Sequence, residues 1–204
     1  HCSALAKRCG YTHLDFAEGN IGDHPLPDGT GMMVCLHACD TATDLALAQA
    51  VRAQVPIIFA VPCCQHELYG QLKNRKETFR TDHLMQPFME HGIITERFAS
   101  LLTDTVRALL LQACGYTVQI MEFIETEHTP KNILIHAVKK TQSAGQAERL
   151  KETALRQYRR IKESFCIEPT LEQLLKDMIP AKQQENLCKY LEDFTSAKLS
   201  TTSL

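Results

Sequence analysis

Two stretches of this chain end an apolar run in cysteine and histidine and then open a helix. The first is Met32-Met33-Val34-Cys35-Leu36, followed by His37-Ala38-Cys39-Asp40-Thr41. The second runs from Val55-Pro56-Ile57-Ile58-Phe59-Ala60 into Val61-Pro62-Cys63-Cys64-Gln65-His66-Glu67-Leu68. In an open parallel sheet the carboxyl ends of the strands are where ligands bind, so these two strand ends are expected to floor one site. His37 or His66 could remove a proton from a reacting group, because free imidazole titrates near neutrality, and the carboxylate of Asp40 could do so too. Asp40 is equally a good helix N-cap. Cys63 and Cys64 could shape a substrate pocket, with Gln65 or His66 hydrogen-bonding the substrate. Plain packing of a strand into a helix is the competing explanation, since cysteine is often buried. Cys39, Cys63, Cys64 and His66 are soft ligands of the kind zinc takes. Adjacent cysteines are awkward for one tetrahedral ion, however, and no C-x-x-C pair occurs, so no metal site is expected.

The elements that would position these residues follow from periodicity. Residues 1 to 9 read as a helix stopped by Gly10, and His13 to Glu18 alternates as a strand. A turn at Gly19-Asn20-Ile21-Gly22-Asp23 and a loop rich in proline and glycine lead to the first Cys/His strand. Asp40 or Thr41 should start a helix through Leu45, Ala46, Ala48 and Val51, and Gln65 to Leu72 another. A charged segment (Lys73, Arg75, Lys76, Glu77, Arg80, Asp82) follows, as a lid or a solvated connector. Ile94, Phe98, Leu101, Leu102, Leu109, Leu110 and Ala113 give the strongest helical stripe in the chain. Arg97, Asp104 and Arg107 on another face of it suit an internal salt-bridge network, with Asp104 and Arg107 spaced as a local pair. Strands are expected at residues 117 to 124 and at Ile133 to Val138, joined by Glu127-His128-Thr129-Pro130-Lys131-Asn132. From Ser143 onward the pattern is helical, with capping-box signals at Ser143/Gln146 and Thr170/Gln173.

Composition narrows the class. The chain has 204 residues, 44% of them hydrophobic and 23% charged, with a net charge of −2. That is a globular balance without a global nucleic-acid footprint. Arg149, Lys151, Arg156, Arg159, Arg160 and Lys162 form a local basic run, which could face RNA or simply be solvated. No apolar run reaches the ~18 residues of a membrane span, and no signal peptide is recognisable. Nine cysteines, four of them in or just after apolar strands, are expected to be free thiols in a reducing cytosol. The opening His1-Cys2-Ser3-Ala4-Leu5-Ala6 reads as mid-helix, so the expectation is a chain lacking its upstream part.

Helix and strand alternate up to residue 115, which implies parallel strands with right-handed crossovers. The last two strands are joined too closely for a crossover and should pair antiparallel. This order, with LHACDTATD (Leu36 to Asp44), VPCCQHEL (Val61 to Leu68), ERFASLLTDTVRALLLQACGY (Glu96 to Tyr116) and EHTPKNILI (Glu127 to Ile135), resembles a bacterial family of class I SAM-dependent methyltransferases. The resemblance covers roughly residues 1 to 140. It implies an α/β Rossmann-like sheet, mostly parallel with a C-terminal antiparallel hairpin and lacking its first strands. Residues 141–204 would be a helical extension.

The resemblance also implies S-adenosyl-L-methionine as cofactor and a cytoplasmic methyltransferase. It puts the adenine border at Gly19, Asn20 and Ile21, with Leu36 and His37 completing the cofactor contact. Methyl donor and acceptor would meet at residues 36 to 40. Cys63, Cys64, Gln65, His66, Lys131 and Asn132 would surround the acceptor, for which RNA is the first candidate. The family's glycine-rich loop is missing, since no G-x-G-x-G motif occurs, so the cofactor site would be half a site and this chain by itself inactive. Two other readings stay open. One is a non-catalytic methyltransferase-like binding module, and the other a thiol- or zinc-dependent protein that binds metal through its Cys/His cluster.

Overall fold

The computed structural model describes residues 1–74, 85–124, 132–139 and 143–179. Most of the charged run after Lys73, the Glu127–Lys131 connection and the C-terminal tail lie outside them. In order, the chain forms α1 (Cys2–Arg8), a 3-10 turn (Ile21–Asp23), β1 (Met32–Leu36), α2 (Thr41–Arg52), β2 (Ile57–Val61), α3 (His66–Asn74), α4 (Gln86–Met89), α5 (Gly92–Ala113), β3 (Thr117–Glu122), β4 (Ile133–Val138), α6 (Ala144–Phe165) and α7 (Thr170–Leu174). Among the described residues, no helix is long and apolar enough to cross a membrane.

The four strands make one mixed sheet in the order β1-β2-β4-β3. β1 and β2 are parallel, from Met32 opposite Ile57 to Leu36 opposite Val61. β4 runs antiparallel to both neighbours, pairing Ile58 with Ala137 and Val118 with Ala137. The short β3–β4 connection therefore closes an antiparallel hairpin, as its length requires. β4 also inserts between β2 and β3, so β1, β2 and β3 all point the same way.

Alternation decides which side of the sheet is covered. Met33 and Cys35 of β1, Ile58 and Ala60 of β2, and Ile135 and Ala137 of β4 lie in register and are buried. Above them lie Leu47, Ala50 and Val51 of α2, Leu68 and Leu72 of α3, and Val106, Leu110 and Leu111 of α5. The 22-residue α5 is the spine of this layer, packed between α3 and α6 and touching β3 and β4. Ala154, Leu155 and Tyr158 of α6, with Leu171 of α7, enter the same core.

Three local expectations are corrected. Residues 13–18 form no strand and are all exposed. A strand needs a neighbour to take its hydrogen bonds, and none runs beside this stretch among the described residues. Ser143 is the N-cap residue of α6 but makes no side-chain cap bond. Thr170 lies one residue inside α7, after Pro169, and its hydroxyl donates instead to Glu67 Oε1 of α3 at 2.6 Å.

The other side of the sheet is open. Met32, Val34 and Leu36 are 54%, 52% and 58% exposed, on an edge strand with no outer neighbour among the described residues. An apolar row along a free edge invites pairing with another chain. The isolated chain is therefore expected to self-associate, and Val34→Lys to reduce that association while changing folding stability by no more than about 0.5 kcal/mol. Sedimentation velocity of the two proteins checks this; identical association would show that the edge is not the contact.

Candidate functional site

The site forms where β1 and β2 end. After Leu36 the backbone turns through two residues with positive φ, His37 (58°) and Asp40 (53°). Histidine and aspartate tolerate such φ better than most side chains, yet each position still costs on the order of 1–3 kcal/mol. Surrounding bonds hold this turn in place. The Asp40 N–H donates to Cys64 O at 3.2 Å, which ties the β1 turn to the β2 turn. Thr43 Oγ1 donates to Ala38 O, and Arg107 Nη2 donates to Asp40 O at 2.9 Å.

Asp40 is the N-cap residue of α2, but its side chain makes no cap bond to that helix. Its Oδ1 accepts instead from the N–H groups of His66 and Glu67, at 2.9 and 3.0 Å. The carboxylate thus caps α3, the neighbouring helix, and satisfies two of its orphan donors. Sequence spacing could not reveal this, because the acceptor and donors are 26 and 27 residues apart.

Behind the turns sits a buried ionic network. Arg107, 1% exposed at its side chain, donates from Nε to Asp44 Oδ1 at 2.8 Å and from Nη1 to Asp104 Oδ1 at 3.1 Å. Its Nη2 also reaches Asp44 Oδ2 at 3.0 Å. The Asp104–Arg107 pair read from the sequence is present, whereas Arg97 is exposed and the second carboxylate comes from α2. Burial works against the Arg107 charge, but Asp44 and then Asp104 outweigh it, and its pKa lies above the ordinary arginine value. Gln65 belongs to this network. It donates to Asp104 Oδ2 at 3.0 Å and accepts from Ser100 Oγ at 2.7 Å, so its amide is engaged inside the helix layer.

Beside β1 lies a cleft of about 320 Å³ whose walls include Gly19, Ile21, His24, Leu26, Cys35 and Leu36. Three of the expected cofactor contacts, Gly19, Ile21 and Leu36, line it. Asn20 and His37 do not; Asn20 Nδ2 donates to Asp23 Oδ2 at 3.2 Å within the turn. Gln49 Nε2 of α2 donates to Ile21 O at 2.6 Å and anchors that turn. Burial raises the pKa of the Cys35 thiol, with Arg107 pulling the other way.

Gly19 has a φ of 153°, and a Cβ there would collide with His24 Nε2. Gly19→Ala is therefore expected to displace His24 from the cleft rim and to cost roughly 1–3 kcal/mol of backbone strain. Urea unfolding measures the loss; an unchanged midpoint would mean the turn relaxes freely.

The remaining expected site residues are divided. Cys63, Cys64 and His66 lie at the β2 end, with His66 exposed. Cys39 Sγ is 3.2 Å from Cys63 Sγ and 3.4 Å from Cys64 Sγ. Asn132 is buried at the base of the β3–β4 hairpin, where Nδ2 donates to Ile124 O at 2.9 Å and its backbone carbonyl accepts from Phe123 N–H at 3.2 Å. Lys131 lies outside the described residues. On α6, Lys162 is tied to Glu168 and Glu172 at 3.0 and 2.6 Å. The exposed Arg149, Arg156 and Arg160 are interspersed with exposed Glu148, Glu152 and Glu163.

A family model described as a methyltransferase domain matches residues 1–71. That segment carries the cleft, both strand ends and most of α3. Two curated relatives, from Macaca fascicularis and Homo sapiens, are each named glutathione S-transferase C-terminal domain-containing protein. Each is 28% identical over 137 residues, covering 53% of this chain and 20% of its own length. The chain thus spans about a fifth of the relatives it matches. No solved structure matches it.

Proposed function

We propose that this chain is part of a class I SAM-dependent methyltransferase, with the adenine end of the cofactor in the cleft beside β1. The observation that carries the proposal is the coincidence of that cleft with the braced turn at the end of β1, inside the segment that matches a methyltransferase domain. Strand order supports it, because three strands point one way and a single antiparallel strand, β4, is inserted before the last. The open edge of β1 supports a sheet that continues past it with further strands.

The cleft suits a flat heteroaromatic ring. Ile21, Leu26 and Leu36 supply apolar walls, and Gly19 lets the backbone approach closely. Its volume lies at the low end for a small-molecule site, in keeping with a place for the adenine end alone. The cofactor would supply an activated methyl group; the chain's own residues orient the acceptor and manage its proton. His37, at the end of β1, and His66, at the start of α3, are both exposed and are the candidate bases. Asp40 is a positioning residue, since its carboxylate holds the first turn of α3. RNA is the acceptor class in this reading, on the strength of the exposed Arg149, Arg156 and Arg160 of α6.

Calorimetric titration with S-adenosylmethionine tests the reading, on this chain and on a longer one that includes upstream sequence. Binding by the longer chain, lost or much weakened in the shorter, is the expected result. No binding by either would overturn the cofactor assignment. Tight binding by the short chain would show that the rest of the pocket is not needed.

A further inference from the structure

We propose that Cys39, Cys63 and Cys64 form a three-thiolate site for a soft divalent cation, zinc being the ion it fits. The three sulfurs form a closed triangle, with Cys39 to Cys63 at 3.2 Å, Cys39 to Cys64 at 3.4 Å and Cys63 to Cys64 at 3.8 Å. Three ligands at the usual Zn–S length of about 2.3 Å in a tetrahedron stand about 3.8 Å apart. Cys63 and Cys64 already stand at that spacing, and Cys39 needs to move away from the pair by about half an ångström to accept the ion. Adjacency of Cys63 and Cys64 does not prevent this, because the chain bends between β2 and α3 and delivers both sulfurs to Cys39.

The frame is built independently of any metal. Asp40, next to Cys39, donates its N–H to Cys64 O and accepts from His66 and Glu67 on the far side of the pair. Arg107 holds the carbonyl of the same residue from behind. Cys39 Sγ also makes a long contact to His37 O, at 3.9 Å. Among the described residues, no His, Asp, Glu or further Cys joins the three thiols as a fourth ligand. Cys39 is exposed and Cys63 and Cys64 are half-buried. Among the described residues the fourth position is therefore left to water or an exchangeable ligand, as in open rather than closed structural zinc sites.

Loading is balanced by proton release. Each thiol that binds gives its proton to the buffer as its sulfur–metal bond forms, so affinity rises with pH. No oxidant or reductant takes part. The site does not depend on the methyltransferase reading and is tested without the methyl donor.

The test uses the full chain purified under reducing conditions, with zinc measured by plasma mass spectrometry and the stripped protein titrated with Co(II). About one zinc per chain is expected, together with the intense visible and sulfur-to-cobalt absorption of a tetrahedral thiolate complex. Cys39→Ser and Cys63→Ser should each lower Co(II) affinity at least tenfold, while Cys9→Ser should not. Circular dichroism of each variant, and the Co(II) spectrum of the unaltered chain, keep the result independent of any folding defect. Absence of both zinc and the thiolate spectrum in the unaltered chain would overturn the site. So would full loading of the Cys39→Ser/Cys63→Ser/Cys64→Ser protein, or a Cys39–Cys63 disulfide found in place of metal in protein kept reduced.

Discussion

Replacing Arg107 by leucine is expected to destabilise the folded chain by about 3–5 kcal/mol, the loss that follows when one partner of a buried ion pair is removed. Two carboxylates, Asp44 and Asp104, would remain in the core with their cation gone. The carbonyl of Asp40 would lose the donor that holds the site turn. Lysine should not rescue the variant, because a single ammonium cannot replace a fork that bonds Asp44 through two nitrogens and Asp104 through a third. Removing all three charges with apolar residues of similar size should recover much of the loss, since the carboxylates then need no partner. The pH dependence follows from the sign of the shift. Arg107 holds its proton more tightly folded than unfolded, so its contribution is complete below the ordinary arginine value and is lost only as pH rises through the raised one. The deficit of Arg107→Leu should therefore not vary between neutral and mildly alkaline pH. Urea unfolding gives the number, and a loss below about 1 kcal/mol would mean the network contributes no more than a surface pair. Arg52, which meets Asp177 at 2.7 Å with both side chains about half exposed, is the control, and Arg52→Ala should leave the midpoint unchanged.

Glu67 carries the second large effect, and its sign depends on the replacement. Its Oε1 accepts from Thr170 N–H at 2.9 Å and from Thr170 Oγ1 at 2.6 Å, tying α7 to α3. Glu67→Ala leaves both donors without that acceptor and should cost about 2–3 kcal/mol. Glu67→Gln keeps a carbonyl oxygen in the same place and removes only the charge. Burial raises the pKa of this carboxyl, with Thr170 pulling it down and Asp44 and Asp40 pushing it up. The folded state thus binds the proton more tightly than the unfolded chain does. Its contribution to stability is complete below the ordinary carboxylate value and declines as pH rises through the raised one. Glu67→Gln should therefore be at least as stable as the parent at neutral pH and lose this part of the acid dependence. Thermal unfolding of the three proteins across mildly acidic and neutral pH checks the order. Equal losses in the Glu67→Gln and Glu67→Ala proteins would show that the charge itself, not the acceptor, matters.

Much of the layout is legible in advance because it rests on short-range regularities. The apolar stripe of α5, the run Ile133 to Val138, the stop at Gly115 and the close spacing of the last two strands each depend on neighbours in sequence. The Asp104–Arg107 pair is readable for the same reason, being about one helical turn apart. The strand expected at residues 13 to 18 fails on the same logic: alternation records which side chains prefer a pleated surface, not whether a neighbouring strand is there to bond them. Thr170 carries a cap signal, but its hydroxyl finds its acceptor on another helix.

The sequence by itself determined the order of the four sheet strands and of the long helices between and after them, the antiparallel closing hairpin and the presence of Cys and His at two strand ends, because periodicity and loop length act within a few residues. Only the tertiary structure decided that Asp40 caps α3 rather than α2, that Gln65 turns inward to Asp104, that Asp44 supplies the second carboxylate to Arg107, and that three thiols from two strand ends meet. Each of those outcomes joins groups 24 or more residues apart. Which partner such a group finds is set by strand register and helix packing, which no local pattern encodes.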